Sequence, residues 1–195
     1  MNLRPLGLAA GALAFLLGYT PAPGMAQQDV VALRAYQPTN FFVMHHDFTG
    51  RADALKSPQD ARDTRVEIVA GLADPKCVSL RAVSPPDHYY KQAFFRIVLA
   101  KRLDEQRYRE DATFCIEAGL EKAILAEAKN KASALVSVQG NANATSKPIS
   151  IRSYNFPNRF IRHRHGELWL DPLANTPDYR TSATFFIVPA AQFAE

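Results

Sequence analysis

Cys77 and Cys115 are the two cysteines of the chain. Two chemistries fit them. They either close a disulfide, which an oxidising compartment favours, or remain buried free thiols that behave as small apolar side chains. Closing the loop from 77 to 115 contributes roughly 4 kcal/mol in the chain-entropy account. Neither these cysteines nor the five histidines have the spacing of a zinc site. No metal and no other cofactor is expected. A second chemistry lies in the basic run Arg159, Arg162 and Arg164, with His163 and His165 among them. Such clusters hold phosphate or sulfated glycans; the alternative is a solvated strand face. Glu167 and Asp171 follow closely. Glycoside hydrolysis uses two carboxyl groups about 5–10 Å apart across one sugar, yet nothing in the sequence pairs these two in a cleft. Asp171, in Leu170-Asp171-Pro172, reads as a turn former, and Trp169 as a residue at the core edge. Nucleophile-elbow, phosphate-loop and metalloprotease motifs are absent, so no catalysis is expected of this chain.

The elements that must position these groups begin after a leader. Arg4 precedes a largely apolar run from Leu6 to Leu17, followed by Pro21, Pro23 and Gly24-Met25-Ala26. That order describes a secretory signal peptide over residues 1–26. The apolar run is shorter than the about 20 residues a membrane span needs. Residues 27–195 then make one secreted or periplasmic domain, large enough for a core of its own. A formal charge of +4 is mild and disfavours a dedicated nucleic-acid binder. Neither a nucleic-acid nor a membrane partner is expected, and the chain is expected to be a monomer.

Three segments of the chain resemble one another. The clearest runs from Ile149-Ser150-Ile151-Arg152-Ser153 to Ala183-Thr184-Phe185-Phe186-Ile187. A second runs from Val78-Ser79-Leu80-Arg81-Ala82 to Ala112-Thr113-Phe114-Cys115-Ile116, and a third from Val31-Ala32-Leu33-Arg34-Ala35 to Thr64-Arg65-Val66-Glu67-Ile68. The openings alternate apolar and polar residues, the period of a half-buried strand. Turn residues such as Pro85-Pro86-Asp87 and Asn155, Pro157 and Asn158 separate the runs. About four short strands fit each copy. Three such copies, over about 30–74, 77–120 and 148–191, predict an all-β fold: a β-trefoil with pseudo-threefold repeats. The excess chain at 121–147 is an insertion between the second and third repeats. Its first part, 121–129, has helix-forming composition; its second has loop composition and a glycosylation acceptor at Asn143-Ala144-Thr145.

These residues resemble the arabinose-binding domain of α-L-arabinofuranosidase B, a family 42 carbohydrate-binding module. The likeness is carried by Arg152, Tyr154, Asn155, Pro157, Ile161-Arg162-His163, Leu170-Asp171-Pro172 and Ala183-Thr184-Phe185. It is specific in the C-terminal copy and weaker in the other two. The resemblance implies binding of arabinofuranose side chains on plant arabinoxylan or arabinan, alongside a separate glycoside hydrolase. It also implies a site: a His from the middle of each repeat and an Asp that opens its last strand. The first copy has both, His45 and Asp63. The second has Gln92 in place of the His and keeps Asp111. The third keeps His163 but has Ser182 in place of the Asp. The expected carbohydrate-binding residues are therefore His45, Asp63, Asp111 and His163, with the full pair in the first copy alone. A carboxylate accepts from neighbouring sugar hydroxyls, and an imidazole donates to a further oxygen. The competing expectation is a trefoil scaffold that binds a protein or an anionic glycan, its sugar pockets degenerate.

Overall fold

The computed structural model describes residues 30–121 and 147–193. The expected signal peptide, the helix expected at 121–129 beyond Glu121, and Asn143 lie outside the described residues. Within them, one order of elements occurs three times: three strands, a short helix and a fourth strand. The first unit holds β1 (Val30–Ala35), β2 (Phe41–His46), β3 (Thr49–Ala54), α1 (Pro58–Asp63) and β4 (Val66–Ala70). The second holds β5 (Val78–Ala82), β6 (His88–Ala93), β7 (Arg96–Lys101), α2 (Gln106–Asp111) and β8 (Phe114–Ala118). The third holds β9 (Ile149–Ser153), β10 (Arg159–Arg164), β11 (Glu167–Pro172), α3 (Pro177–Ser182) and β12 (Phe185–Pro189). The alternating segments 78–82 and 149–153 are thus strands in full.

All twelve strands join one antiparallel sheet that closes on itself. The first and last strands of the units form a ring in the order β1, β4, β5, β8, β9, β12 and back to β1. Closure leaves this ring without a free edge, the feature that otherwise invites strand addition. The middle strands form hairpins β2–β3, β6–β7 and β10–β11. These meet each other through Thr49 with Val98, Arg96 with Trp169, and Glu167 with Arg51.

Each ring strand sends one large apolar side chain inward: Leu33, Val66, Leu80, Phe114, Phe185 and Ile151, none more than 2% exposed. Burial of each stabilises by about 1.5–3 kcal/mol. Val43, Tyr90 and Ile161, with Ile97, Leu168, Leu99 and Leu170, form the hairpin layer of the same core. Gly50 takes the hairpin position that Ile97 and Leu168 take elsewhere. A Cβ there would stand 2.8 Å from the Ile97 carbonyl oxygen, so the close approach of β3 to β7 requires glycine. Cys77 directly precedes β5 and Cys115 lies on its ring neighbour β8. Their Cα atoms are 4.5 Å apart and the disulfide is formed, which decides against free thiols.

The short helices depart from the sequence expectation. Asp63 and Asp111 do not open their strands. They end α1 and α2, and the strands begin at Val66 and Phe114. The cause is local. Ser57 caps α1 by accepting from the Asp60 amide at 3.1 Å, with Pro58 at the start of the helix. Thr176 and Pro177 do the same for α3. A hydroxyl cap followed by proline is a strong helix start. Each helix is followed by a buried threonine whose hydroxyl turns back to a helix carbonyl: Thr64 to Ala61, Thr113 to Arg109 and Thr184 to Arg180.

Candidate functional site

Three corners of the fold are built alike. A hairpin residue from one unit faces the last residue of that unit's helix, beside a loop from the next unit. His45, Gln92 and His163 occupy the same position in β2, β6 and β10, opposite Gly50, Ile97 and Leu168. Asp63, Asp111 and Ser182 end α1, α2 and α3. Ser84, Asn155 and Gln37 come from the loop after the first strand of the following unit. The structure therefore brings His45 to Asp63 and Gln92 to Asp111 within their own units, each pair beside a loop of the next unit.

In the first corner His45 Nε2 lies 3.5 Å from Asp63 Oδ1 and 2.9 Å from the Ser84 carbonyl oxygen. A carbonyl only accepts, so Nε2 carries the hydrogen. The imidazole therefore spends that donor on fastening the next unit's loop. Gln59 Nε2 also donates to Asp63 Oδ1, at 2.6 Å. Both neighbours approach the same carboxylate oxygen. Among the described residues Oδ2 has no protein partner, and the side chain keeps 11% of its surface exposed.

The second corner is closed electrostatically. Asp111 Oδ1 accepts from the Gln92 amide and from Asn155 Nδ2 at 2.7 Å. Oδ2 accepts from Lys91 Nζ at 3.2 Å. The Gln92 oxygen in turn accepts from the Phe95 amide at 3.3 Å. An open cleft of about 500 Å³, lined by Gln106, Arg107, Glu110 and Phe156, lies over this group. Its carboxylate is already held by three donors. A ligand hydroxyl would have to displace one from a largely buried ion pair, an exchange with little net gain.

The third corner has lost its acceptor. Ser182 turns its hydroxyl back along α3, 2.6 Å from the Asp178 carbonyl oxygen and 3.1 Å from that of Tyr179. His163 Nε2 donates to the Gln37 carbonyl at 2.9 Å, the counterpart of the His45 contact. Burial lowers the His163 pKa below the usual histidine value, the Gln37 hydrogen bond opposing it and the Arg162 charge adding to it. This imidazole acts as a neutral tie between units.

The basic run is internally engaged. Arg159 lies 3.8 Å from the centre of the Phe95 ring and donates to the Leu170 carbonyl at 3.0 Å. Arg162 pairs with Asp178 at 2.9 Å, and Arg164 with Asp171 at 3.1 Å. Asp171 is thus a strand residue of β11 and an ion-pair acceptor, where the sequence suggested a turn former. Glu167 is bound to Arg96 at 2.7 Å. The guanidiniums of Arg96 and Arg164 lie over the Trp169 ring at 4.3 and 4.1 Å. Among the described residues no cluster of His, Cys, Asp or Glu is placed to hold a metal ion, and no helix is long and apolar enough to cross a membrane.

The α-L-arabinofuranosidase B (ABFB) domain matches residues 31–138 and 131–188 of this sequence. The chain belongs to that family. The ABFB domain is 30% identical to α-L-arabinofuranosidase B of Aspergillus kawachii (strain NBRC 4308) over 105 residues, 50% of this chain and 21% of that one. Against the arabinofuranosidase/B-xylosidase of Trichoderma koningii it is 23% identical over 171 residues, 85% of this chain and 29% of that one. The crystal structure of an arabinofuranosidase complexed with arabinofuranosyl-alpha-1,2-xylobiose superposes with a TM-score of 0.66. That likeness has 24% identity and covers 89% of this chain and 33% of the other; it shows a common fold. The ABFB domain therefore spans between about a fifth and a third of the length of these relatives.

Sequence reasoning missed the residues that distinguish the corners of this ABFB domain. Gln59, Lys91 and Ser84 carried no signal, and Asn155 read as a turn residue. Gln59 was accessible in principle: it stands four residues before Asp63 in a capped helix, the separation at which side chains meet. Tyr90 was also missed. It is fully buried, its hydroxyl has no partner among the described residues, and burial together with the Asp63 charge keeps the phenol protonated.

Proposed function

We propose that this ABFB domain is an exported, non-catalytic carbohydrate-binding unit whose working pocket is the first corner. The ligand is an arabinofuranosyl branch of a plant polysaccharide such as arabinoxylan or arabinan. Cleavage belongs to a glycoside hydrolase domain. In this reading the three units form a β-trefoil with pseudo-threefold repeats, the His–Asp pair being the ancestral pocket of each.

One observation carries the reading. Of the three corners, only the first combines a carboxylate with an oxygen free to accept. Asp63 Oδ2 has no partner among the described residues, while Gln59 holds Oδ1 by a hydrogen bond and His45 lies beside it. A carboxylate so fixed accepts from adjacent ring hydroxyls at little ordering cost, and its bonds are of the stronger, charge-assisted kind. His45 supports this pocket chiefly by positioning, since its Nε2 hydrogen serves Ser84. Asp111 and His163 are remnants: the first saturated, the second without its acceptor. Engagement of the basic run by Asp171 and Asp178 weighs against an anionic ligand.

A single small polar pocket gives weak binding, with a Kd on the order of 1 mM. Isothermal titration with arabinofuranose-substituted xylo-oligosaccharides tests the proposal. One site per chain is expected. Asp63→Ala should weaken it about 10- to 100-fold, the worth of one or two hydrogen bonds to a charged group, and Asp111→Ala should leave it in place. Binding that survives Asp63→Ala and disappears with Asp111→Ala would move the pocket to the second corner. A wild-type chain that takes up no sugar at millimolar concentration would end the reading.

A further inference from the structure

The tips of the three hairpins share one backbone conformation but carry different residues. Each is a two-residue turn with both central residues at positive φ: Asp47-Phe48 at 49° and 60°, Phe94-Phe95 at 50° and 63°, and His165-Gly166 at 53° and 75°. Such turns match the twist of the strands and favour Asn, Asp and Gly. Glycine at 166 meets that demand. A phenylalanine there is unusual and costs of order 1–3 kcal/mol, tolerated where the surroundings impose the conformation. The imposing contact is the same in all three. The carbonyl of the second turn residue accepts from the neighbouring hairpin: Phe48 from Leu99 at 2.8 Å, Phe95 from Leu170 at 2.8 Å, and Gly166 from Ala52 at 3.2 Å.

Phe48 and Phe95 occupy the same turn position but not the same surroundings. Phe95 is covered, with Phe156 edge-on at 5.2 Å and the Arg159 guanidinium 3.8 Å from its ring centre. Phe48 keeps 55% of its surface exposed. Its ring runs nearly parallel to His45, 18° between planes and 6.5 Å between centres, and approaches His88 at 5.7 Å. His45 is the residue that touches Asp63. The open carboxylate and the exposed aromatic surface are therefore linked through one imidazole, in the first unit alone.

We infer that Phe48 is the stacking wall of the first corner, receiving the apolar C–H face of a sugar whose hydroxyls engage Asp63. A sugar ring has a polar rim and an apolar face, and a pocket that serves both needs an acceptor and an uncovered aromatic surface side by side. The strained turn holds the ring in place before the ligand arrives, so little side-chain freedom is lost on binding. The ligand class is a neutral sugar with an unsubstituted ring face, and His88 closes the far side of the wall. This inference rests on the proposed sugar pocket and adds to it a residue that makes no hydrogen bond.

The test compares Phe48→Gly, Phe48→Trp and Phe94→Ala with the wild-type chain, titrated with an arabinofuranose-substituted xylobiose and followed by thermal unfolding. Phe48→Gly removes the ring and relieves the turn, so Tm should be unchanged or higher while affinity falls about 10-fold, as for loss of an aromatic surface. Phe48→Trp should bind at least as well as the wild type, and saturating sugar should shift the emission of the introduced indole. Phe94 is more exposed still, at 94%, but sits on the second tip; Phe94→Ala should bind normally. Full affinity in Phe48→Gly, with binding lost in Asp63→Ala, would overturn the wall and leave the pocket standing. Equal losses in Phe48→Gly and Phe94→Ala, or a steep fall in Tm in Phe48→Gly, would also overturn it. A wild-type chain that does not bind removes both inferences at the level of the pocket.

Discussion

Asp63 and Asp111 end matching helices and face matching hairpin positions, yet their carboxylates are in opposite states. Asp111 is held by Gln92, Asn155 and Lys91 through both oxygens. Asp63 is held by Gln59 through one, with His45 beside it. The residue type that recognises a hydroxyl is the same in both corners; what differs is whether the protein has already supplied the hydroxyl's competitors. A buried carboxylate saturated by its own chain stabilises the fold, and one left half-satisfied is available to a ligand. Under the proposed function the second unit is the structural anchor and the first the ligand-facing one. The disulfide reinforces this division, since Cys77 and Cys115 tie the two outer strands of the second unit.

The division predicts where stability resides. The largest effect should come from replacing both cysteines by serine. Opening a loop of 38 residues should lower unfolding free energy by about 4 kcal/mol, measured by urea titration of the oxidised chain and the double variant. Hydrogen exchange should show β5 and β8 losing protection ahead of β1 and β2. Uniform loss of protection would show the ring to be one cooperative body and dissolve the contrast between units. Asp111→Ala comes next. It leaves Lys91, whose side chain is 15% exposed, without its counter-charge, and orphans the amides of Gln92 and Asn155. Removing one partner of a buried pair costs roughly 3–5 kcal/mol, and the partial exposure of Lys91 places the expectation near the lower end. Asp63→Ala should cost about 1 kcal/mol, since it breaks one hydrogen bond where Asp111→Ala breaks three. If the two aspartate variants proved equally destabilising, Asp63 would be as structural as Asp111 and the asymmetry would fail.

The sequence carried this fold at two levels. Alternation at 78–82 and 149–153 marks β5 and β9 because Leu80 and Ile151 enter the ring core, while the polar positions are held by the protein itself, Ser79 and Ser150 buried on backbone carbonyls and Arg81 and Arg152 in ion pairs. The helices were less visible because each spans only six residues, too few for a helical period to emerge. Their starts were nonetheless written in Ser57-Pro58 and Thr176-Pro177. Overlooking them put Asp63 and Asp111 at the wrong end of a connection. The His–Asp pairing survives that error because both helices deliver the aspartate to the same place. What no spacing rule conveyed was occupancy. Lys91, Asn155 and Gln59 decide which carboxylate is free, and Asn155 reaches Asp111 across 44 residues of chain. Such contacts follow from closure of the ring, which a linear pattern does not encode.

The smallest expected effect concerns the third corner, where a histidine remains without its aspartate. Burial is the first cause of the lowered His163 pKa, and the Asp178 charge and the Gln37 carbonyl only partly oppose it. In the unfolded chain this histidine takes up a proton near its ordinary value of about 6.5. In the folded chain it resists until lower pH. Between those two values the unfolded state binds more protons, so stability rises with pH there. The contribution of a neutral His163 is therefore fully present above about pH 6.5 and is lost as the pH falls below it toward the folded value. Urea unfolding at about pH 7.5 and about pH 5.5 should show a smaller acid loss in His163→Gln than in the wild type, because glutamine keeps a donor for Gln37 and does not titrate. His45 makes the same contact with a loop carbonyl but has Asp63 beside it. His45→Gln, which likewise keeps a donor for its loop carbonyl, is the control for disturbing such a contact alone. An acid loss as large in His163→Gln as in the wild type would show that burial of this imidazole does not set the pH dependence of the third corner.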